Sequence, residues 1–199
     1  MCAEHKSRRR GPHRPAPLAT IGGVVERMDP GRAELLRAQP FTYTGAILTS
    51  PPPGHRRLAV REVIGSGRPT FLRAADRVLS WQMHERAGLR VVASEDTARP
   101  GAVAVVVMGL GPVRLAAPCR VVDSVRDEGR AGFTYGTLPG HPVSGEESFL
   151  VEHHDDDTVS VSVTSVSRPA RWFTRLGGPL SGIAQRLASR RYIAALRAA

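Results

Sequence analysis

The chain has few cysteines and no long apolar run. Of its 199 residues only Cys2 and Cys119 are cysteines, so it carries neither a disulfide framework nor cysteines at zinc-binding spacing. The longest apolar run, Ala102 to Met108, is much shorter than the roughly 18 residues of a membrane-spanning helix. No apolar stretch of signal-peptide length follows the basic first residues. These absences predict a cytoplasmic protein without an integral membrane segment.

Acidic residues are missing from the C-terminal part of the chain. The net charge is +10, but residues 168–199 hold seven arginines and no acid, and residues 1–27 hold six basic and two acidic residues. The body between them holds 15 basic and 16 acidic residues and is close to neutral. Because a basic groove across one face is therefore not expected, the sequence predicts no specific nucleic-acid partner.

The first 27 residues show no apolar period and cannot offset the entropy of ordering by burial. We expect a disordered basic tail over residues 1–27 and a single domain over residues 28–199. The tail admits three interpretations, namely a nucleic-acid arm, a dispensable extension, or a misassigned start with Met28 as the first residue.

Short extended segments separated by turn residues fill the middle of the chain. They run over residues 89–93, 103–110, 113–125, 132–138, 146–153 and 159–166. Connections this short permit antiparallel hairpins and exclude helical crossovers, so the sequence predicts a six-strand meander. Val159, Val161 and Val163 alternate with polar residues, which indicates one buried and one wet face.

Helices are predicted on both sides of this meander. One or two early strands, over residues 41–48 and 58–64, precede a helix that begins near Pro69 and is stopped by Gly88. A last helix of about 19 residues opens at Gly177-Gly178-Pro179 and is long enough to cross six strands. On a helical wheel its apolar face comprises Leu180, Ile183, Ala184, Leu187, Ala188 and Ala195, with Tyr192 near the edge.

Several stretches resemble one known family. Gly132 to Pro142, Gly145 to Phe149 and Ser167 to Ala170 look like hallmark stretches of the domain-of-unknown-function family nineteen-ninety. Gly65-Ser66-Gly67 and the closing Arg190-Arg191-Tyr192 also look like its pattern, and the resemblance covers about residues 28–198. That family is grouped with the START-like, birch-pollen-allergen-like (SRPBCC) superfamily.

The resemblance implies an α+β helix-grip fold, in which a curved antiparallel sheet of six to eight strands wraps around a long C-terminal helix. Members of the superfamily bind lipids, sterols, polyketides and other hydrophobic molecules, and some are cyclases. A hydrophobic or amphipathic small molecule held between sheet and helix is therefore the partner that the resemblance implies. It brings no catalytic residues, because the family is uncharacterised and a fold does not fix a function.

Two motifs are explained more simply by turns than by the chemistry they suggest. Gly65-Ser66-Gly67 lacks the third glycine of a dinucleotide loop, so a turn with a helix cap, or at most a small-anion site, is favoured. The run from His153 to Asp157 has metal-ligand residue types, but consecutive residues on a tight turn cannot converge on one ion. We predict a charged hairpin tip there, with no metal and no cofactor.

The loop from Leu138 to Glu147 carries His141, Glu146 and Glu147 between glycines and prolines. A histidine beside carboxylates is typical of acid–base pairs, but His141 and Glu147 could equally pin the loop. Arg191 falls in the middle of the predicted apolar face, where it needs a partner. That partner would be Glu146, Glu147 or an acidic ligand head.

Three hypotheses follow. The first is a binding module, the second a cyclase, hydrolase or isomerase using His141 and a glutamate, and the third an interaction protein whose basic helix and arm meet an anionic membrane or nucleic acid. The candidate ligand-binding residues are Trp81, Tyr135, His141, Glu147, Arg168 and Arg191. Trp81 and Tyr135 are placed on the cavity wall, and the other four at the polar end of the ligand.

Overall fold

A computed structural model describes residues 25–110, 113–170 and 178–197. Within them the elements are β1 (Glu26–Arg27), α1 (Pro30–Ala38), β2 (Arg56–Ser66), α2 (Arg68–Leu79), α3 (Gln82–Arg86), β3 (Arg90–Ala93), β4 (Val103–Leu110), β5 (Val113–Arg126), β6 (Arg130–Thr137), β7 (Val143–His153), β8 (Thr158–Pro169) and α4 (Gly178–Arg197). Of the predicted tail, residues 1–24 lie outside the described residues. Residues 26–27 pair with the sheet as β1, and Val25 is buried beside them.

The strands form one open sheet in the order β1-β3-β4-β5-β6-β7-β8-β2. Strands β3 to β8 follow one another as antiparallel neighbours, which confirms the predicted six-strand meander. Strand β2 pairs antiparallel with β8, and β1 pairs in parallel with β3. The architecture is the predicted α+β helix-grip fold, a mostly antiparallel sheet with a C-terminal helix.

The inner face of the sheet, defined here as the face covered by α2, α3 and α4, holds the main core. Phe133, Phe149 and Val161 point into this core and are fully buried or nearly so. The predicted alternation along β8 is confirmed, because Val159, Val161 and Val163 join the core. Alternation with period two leaves the intervening side chains on the outer face.

The outer face carries a second, smaller core under α1. Asp29 caps α1 by accepting a hydrogen bond from the Arg32 amide at 2.9 Å, and Pro30 opens the helix. Ala33 then packs with Val103 and Val105. Neither α1 nor β1 was predicted, because α1 buries only one small residue and β1 is two residues long.

The two early strands have different outcomes. Residues 58–64 lie in β2, as predicted, whereas the strand predicted over residues 41–48 is wrong. That segment forms turns over the outer face, with Gly45 at φ 77°, and its strand-forming residues serve as anchors. Ile47 is fully buried there, and the Thr42 amide donates to the carbonyl of Thr137 at 3.0 Å.

The single helix predicted after Pro69 is broken into α2 and α3 at Trp81, which has a left-handed φ of 64°. A bulky residue in this region costs about 1–3 kcal/mol and persists only where packing imposes it. The indole of Trp81 is fully buried, and the turn also brings Met83 and His84 into the core. Gly88, at φ 87°, lies just after α3, as predicted.

Helix α4 is confirmed, and its predicted apolar face is right in part. Ala195 is buried and Ala188 packs against the core, whereas the inward positions predicted for Leu187 and Arg191 are wrong. The side chains of Leu180, Ile183 and Ala184 lie outside the described residues. The buried stripe in its last turns comprises Ser189, Tyr192, Ile193 and Leu196, which follow the i, i+3, i+4, i+7 spacing. Leu187 is 54% exposed, and Arg191 is exposed as well. A hydrophobicity pattern underweights a stripe built on a serine and a tyrosine. Among the described helices, none has the length and hydrophobicity needed to cross a bilayer.

Candidate functional site

Three polar side chains lie side by side on the inner face, in the middle of the sheet. Tyr135 on β6 is in register with Glu147 on β7, and Glu147 is in register with Ser165 on β8. On one side of this row the next positions of the same face are apolar, with Phe133 opposite Phe149. On the other side Gly145 lies opposite Ser167. The sheet thus places a short polar row beside the apolar part of the inner face.

Glu147 is the acidic member of this row. The Tyr135 hydroxyl donates a hydrogen bond to Glu147 Oε2 at 2.5 Å. Burial raises the pKa of Glu147 to about 7, although the bond from Tyr135 acts in the opposite direction. The residue as a whole is half-buried. Near neutral pH the site therefore holds both the neutral and the ionised carboxyl.

Tyr192 on α4 and Cys119 on β5 complete the polar surroundings of Glu147. Burial raises the pKa of both side chains, and the charge of Glu147 raises each pKa further. The Cys119 thiol lies 3.6 Å from the carbonyl of Ala104 and stays protonated. One carboxyl is therefore surrounded by protonated hydroxyl and thiol groups, and the site offers no thiolate nucleophile.

Aromatic rings from both layers enclose the imidazole of His84. The ring centroids of Phe149 and Tyr192 lie 5.1 Å and 5.0 Å from it, and that of Trp81 lies 5.7 Å away. His84 is fully buried, and in the described part of the chain neither of its ring nitrogens has a hydrogen-bond partner. Burial lowers the pKa of His84 to about 3, so the ring is neutral.

Three of the predicted site residues lie around this inner-face site. Tyr135 and Glu147 are in direct contact, and Trp81 meets them through Phe133, whose ring centroid is 4.9 Å from the indole. The indole Nε1 of Trp81 has no hydrogen-bond partner among the described residues. Trp81 is thus packed in the core, and Tyr135 makes a hydrogen bond. That either side chain lines a ligand cavity stays a prediction.

His141 lies apart from this group. Its Nδ1 accepts a hydrogen bond from the Val143 amide at 3.1 Å, and burial lowers its pKa to about 4. Over the described residues, no hydrogen bond joins His141 to Glu146 or Glu147. The structure therefore forms no acid–base pair at this loop, and His141 pins the loop instead.

The predicted pairing of Arg191 with Glu146 or Glu147 is wrong. Arg191 points outward from α4, because the buried stripe runs through its neighbour Tyr192. Glu147 bonds Tyr135, and Glu146 accepts a hydrogen bond from the Leu48 amide at 3.1 Å. Arg168, at the end of β8, is exposed like Arg191, and ligand contact at either arginine stays a prediction.

The turn between β7 and β8 forms a charged hairpin tip. In it, His153 pairs with Asp157 at 2.8 Å, and Asp156 accepts a hydrogen bond from the Thr158 amide at 3.0 Å. No group of three metal-ligating side chains occurs within residues 25–110, 113–170 and 178–197. Two surface pockets bounded by described residues lie beside Pro30 on α1 and beside Phe71 on α2, and neither includes Glu147.

Four polar residues of the inner-face site, His84, Cys119, Ser165 and Tyr192, are not among the predicted site residues. His84 follows Met83 at the end of a helical apolar pattern, and Tyr192 borders the pattern in α4. Neither position carries a sequence signal that separates a site residue from a packing residue. Ser165 continues the alternation of the β8 valines, so its face could have been predicted, but its neighbours required the strand register.

Several solved structures share the fold of this chain. The major latex-like protein 151 of Panax ginseng is 14% identical, with 70% of this chain and 96% of that chain covered at a TM-score of 0.51. Ara h 8.0201 is 12% identical, covering 72% and 96% at 0.51. A hypothetical protein of Helicobacter pylori is 9% identical, covering 79% and 97% at 0.55. These similarities show that the chain shares its helix-grip fold with proteins of very different sequence.

The particular family follows from the sequence. The model of DUF1990, a domain of unknown function, matches residues 42–195, and the chain belongs to this family. A UPF0548 protein of Deinococcus radiodurans is 36% identical over 167 residues, which are 78% of this chain and 84% of that protein. A UPF0548 protein of Arabidopsis thaliana is 30% identical over 132 residues, 63% of this chain and 64% of that protein. The resemblance noted in the sequence is thereby confirmed.

Proposed function

We propose that this domain binds an amphipathic small molecule between the inner face of the sheet and α4, with the polar end of the ligand at Glu147. The observation that carries the proposal is the hydrogen-bonded pair of Tyr135 and Glu147 beside the apolar core of the inner face. A carboxyl in such a place is costly unless it serves a purpose, because burial disfavours its charge. Its partial exposure supports access by a ligand.

The chemistry of the polar end follows from the acidic character of the site. An ionised Glu147 accepts hydrogen bonds and attracts a cation, and the Tyr135 hydroxyl already donates to it. A ligand amine or hydroxyl satisfies the remaining acceptor positions of the carboxylate. A ligand carboxylate would add a second negative charge at low dielectric and is disfavoured. The preferred polar end of the ligand is therefore basic or neutral, whereas the sequence suggests an acidic end at Arg191.

The test uses three probes with the same long alkyl chain, ending in an amine, an alcohol or a carboxylic acid. We expect saturable binding of the amine and the alcohol in titration calorimetry, with the acid weakest. Glu147→Gln should weaken amine binding about 10-fold, as expected for a hydrogen bond to a charged group. Glu152→Gln is the matched control, because Glu152 lies on the same strand and pairs with Arg61 at 3.3 Å instead.

Failure of all three probes to bind saturably would overturn the proposal. Equal affinity of the unmodified protein and Glu147→Gln for the amine would overturn the assignment of the polar end.

A second candidate function is supported by the pKa of Glu147. A carboxyl that titrates near pH 7 serves as a general base and, once protonated, as a general acid. The reaction class that needs this is an isomerisation, in which Glu147 removes a proton from the carbon next to a carbonyl and returns one at another carbon. The acid–base role that the sequence suggested for His141 would then belong to Glu147.

An enolisable ketone with a long alkyl chain tests this candidate in deuterated water. The protein should speed exchange of the protons next to the carbonyl, as measured by mass spectrometry, and Glu147→Gln should abolish the acceleration. Glu152→Gln should retain it. Equal exchange with and without the protein would eliminate the catalytic candidate while leaving ligand binding untouched.

A further inference from the structure

The outward side of α4 carries arginine and leucine. The exposed residues of its described turns are Arg186, Leu187, Arg190, Arg191, Ala194 and Arg197. At about 100° per residue they fall within an arc of roughly 140°, so they form one continuous face. The helix sequence contains no acidic residue. We call Arg186, Leu187, Arg190 and Arg191 the arginine face.

The three arginines of this face differ from Arg197. Arg197 pairs with Glu62 at 2.9 Å and also donates to the carbonyl of Val63. Across the described residues, the guanidinium groups of Arg186, Arg190 and Arg191 have neither an ion pair nor a hydrogen bond. Their charges are therefore free to meet an external anion.

Leu187 lies among these arginines and is 54% exposed. A single exposed leucine is ordinary on a protein surface. Here, however, it is bordered by arginines one residue before it and three and four residues after it, on the same side of the helix. Basic residues around an apolar side chain are the composition of helices that lie in the interface of an anionic bilayer.

Positive charge continues onto the neighbouring helices. Arg77 of α2 donates to the carbonyl of Leu196 at 3.3 Å, which joins α2 to the end of α4. Burial, followed by the nearby charges of Arg86 and Arg73, lowers the pKa of Arg77. Arg73 and Arg86 are exposed, so a second group of positive charges borders the end of α4.

We propose that the arginine face docks on an anionic lipid surface, with its three arginines at the headgroups and Leu187 between the lipids. Nucleic acid fits less well, because the face has no aromatic side chain on which bases could stack. The domain body between the basic ends is also close to neutral, so no groove would follow a phosphate backbone. The proposal goes beyond ligand binding, because it concerns the side of α4 opposite Tyr192.

The full-length protein is tested by flotation with vesicles of phosphatidylcholine alone and of phosphatidylcholine mixed with phosphatidylserine. We expect partitioning onto the mixed vesicles only, decreasing with added salt. Replacing Arg186, Arg190 and Arg191 together by glutamine should weaken partitioning on the order of 100-fold, since each basic residue near the surface contributes about fivefold. Leu187→Gln should weaken it by about 10-fold.

Two control variants test whether any loss of binding comes from the arginine face or only from the lower net charge. The first replaces the exposed Arg32, Arg56 and Arg114 of the domain body by glutamine and should partition like the unmodified protein. The second replaces the Arg8–Arg10 run of the sequence in the same way and should lose much less than the α4 variant. All three variants remove the same charge.

The proposal is overturned if neutral vesicles bind as well as anionic ones, or if either control variant loses as much as the α4 variant. It is also overturned if Leu187→Gln partitions unchanged, or if the α4 substitutions weaken binding to a DNA duplex and leave binding to vesicles intact. Circular dichroism of each variant must match the unmodified protein. This is the expected result for the domain-body and α4 variants, because the side chains that they replace are exposed.

Discussion

Glu146 and Glu147 are neighbours on β7 and face opposite sides of the sheet. Glu146 points to the outer face, where it accepts a hydrogen bond from the Leu48 amide and bonds the Tyr43 hydroxyl. Glu147 points to the inner face, where Tyr135 donates to it. Glu146 is buried and bonds a backbone amide, whereas Glu147 is half-buried among side chains.

The difference separates a structural carboxyl from one available for chemistry. Glu146 fixes the turns of residues 41–48 onto the sheet, and burial raises the pKa of Tyr43, so that its hydroxyl stays protonated and donates to Glu146. Glu147 fixes no backbone segment through a hydrogen bond in the described residues, and its pKa of about 7 leaves it ready to change state. The following predictions test this contrast.

The largest effect is expected for Glu146→Ala. Removing this carboxylate leaves the partly buried Leu48 amide and Tyr43 hydroxyl without their acceptor. We expect the free energy of unfolding to fall by about 3 kcal/mol in urea titrations, the summed cost of two unsatisfied donors. Glu152→Ala removes a surface pair with Arg61 and should cost less than about 1 kcal/mol. Equal losses of unfolding free energy in the two variants would show that Glu146 contributes no more to stability than a surface carboxylate.

A smaller effect with a characteristic pH dependence is expected for Glu147→Gln. The folded pKa of about 7 lies above the ordinary value of 4.5, so the folded state holds the proton more tightly. The stabilisation is fully present below pH 4.5 and is lost as pH rises through 7. Between pH 5 and pH 8 the unmodified protein should lose on the order of 2 kcal/mol more than Glu147→Gln.

Other groups cancel in this comparison, because both proteins contain His84 and His141. Their folded pKa values, lowered by burial to about 3 and about 4, reduce stability as pH falls below the ordinary value of 6.5. Chemical unfolding at several pH values measures both proteins. If the unfolding free energies of the two proteins changed with pH in parallel, the pKa of Glu147 would not be raised by folding. Glu147 would then not differ from Glu146 in the way described.

The smallest effect is expected for Tyr135→Phe. Loss of the hydroxyl removes the hydrogen bond that favours the ionised carboxylate, so the pKa of Glu147 should rise by about one unit. An NMR titration of the Glu147 carboxyl in glutamate-labelled protein measures this shift. Tyr43→Phe, on the other face, should leave the titration unchanged. If the pKa of Glu147 shifted in both variants, the hydroxyl of Tyr43 on the outer face would also be influencing Glu147 through the sheet.

Much of the fold could be predicted because its signals are local. The hairpins of the meander and the β8 valines follow from spacing within a few residues. The break at Trp81 and the buried stripe of α4 depend on what these segments pack against, so a pattern in one segment misses them. The turns over residues 41–48 contain strand formers that anchor onto the outer face instead.

The site was predicted only in part for a related reason. Tyr135 and Glu147 were chosen, but their contact depends on the register between β6 and β7. A slip of one residue would exchange the faces of Glu146 and Glu147. His141 and Arg191 are predicted as ligand contacts from a loop position and from a helical wheel. Neither criterion shows that His141 bonds the backbone of its own loop or that Arg191 faces outward from α4.

The pairing of β2 with β8 also orders events during synthesis. Leu58 and Ser165 lie opposite each other although about a hundred residues separate them. At ribosomal speeds of roughly 5–20 residues per second, β2 waits roughly 5–20 s for its partner strand to emerge. During translation the apolar side chains and the backbone edge of this strand therefore stay uncovered until β8 has emerged.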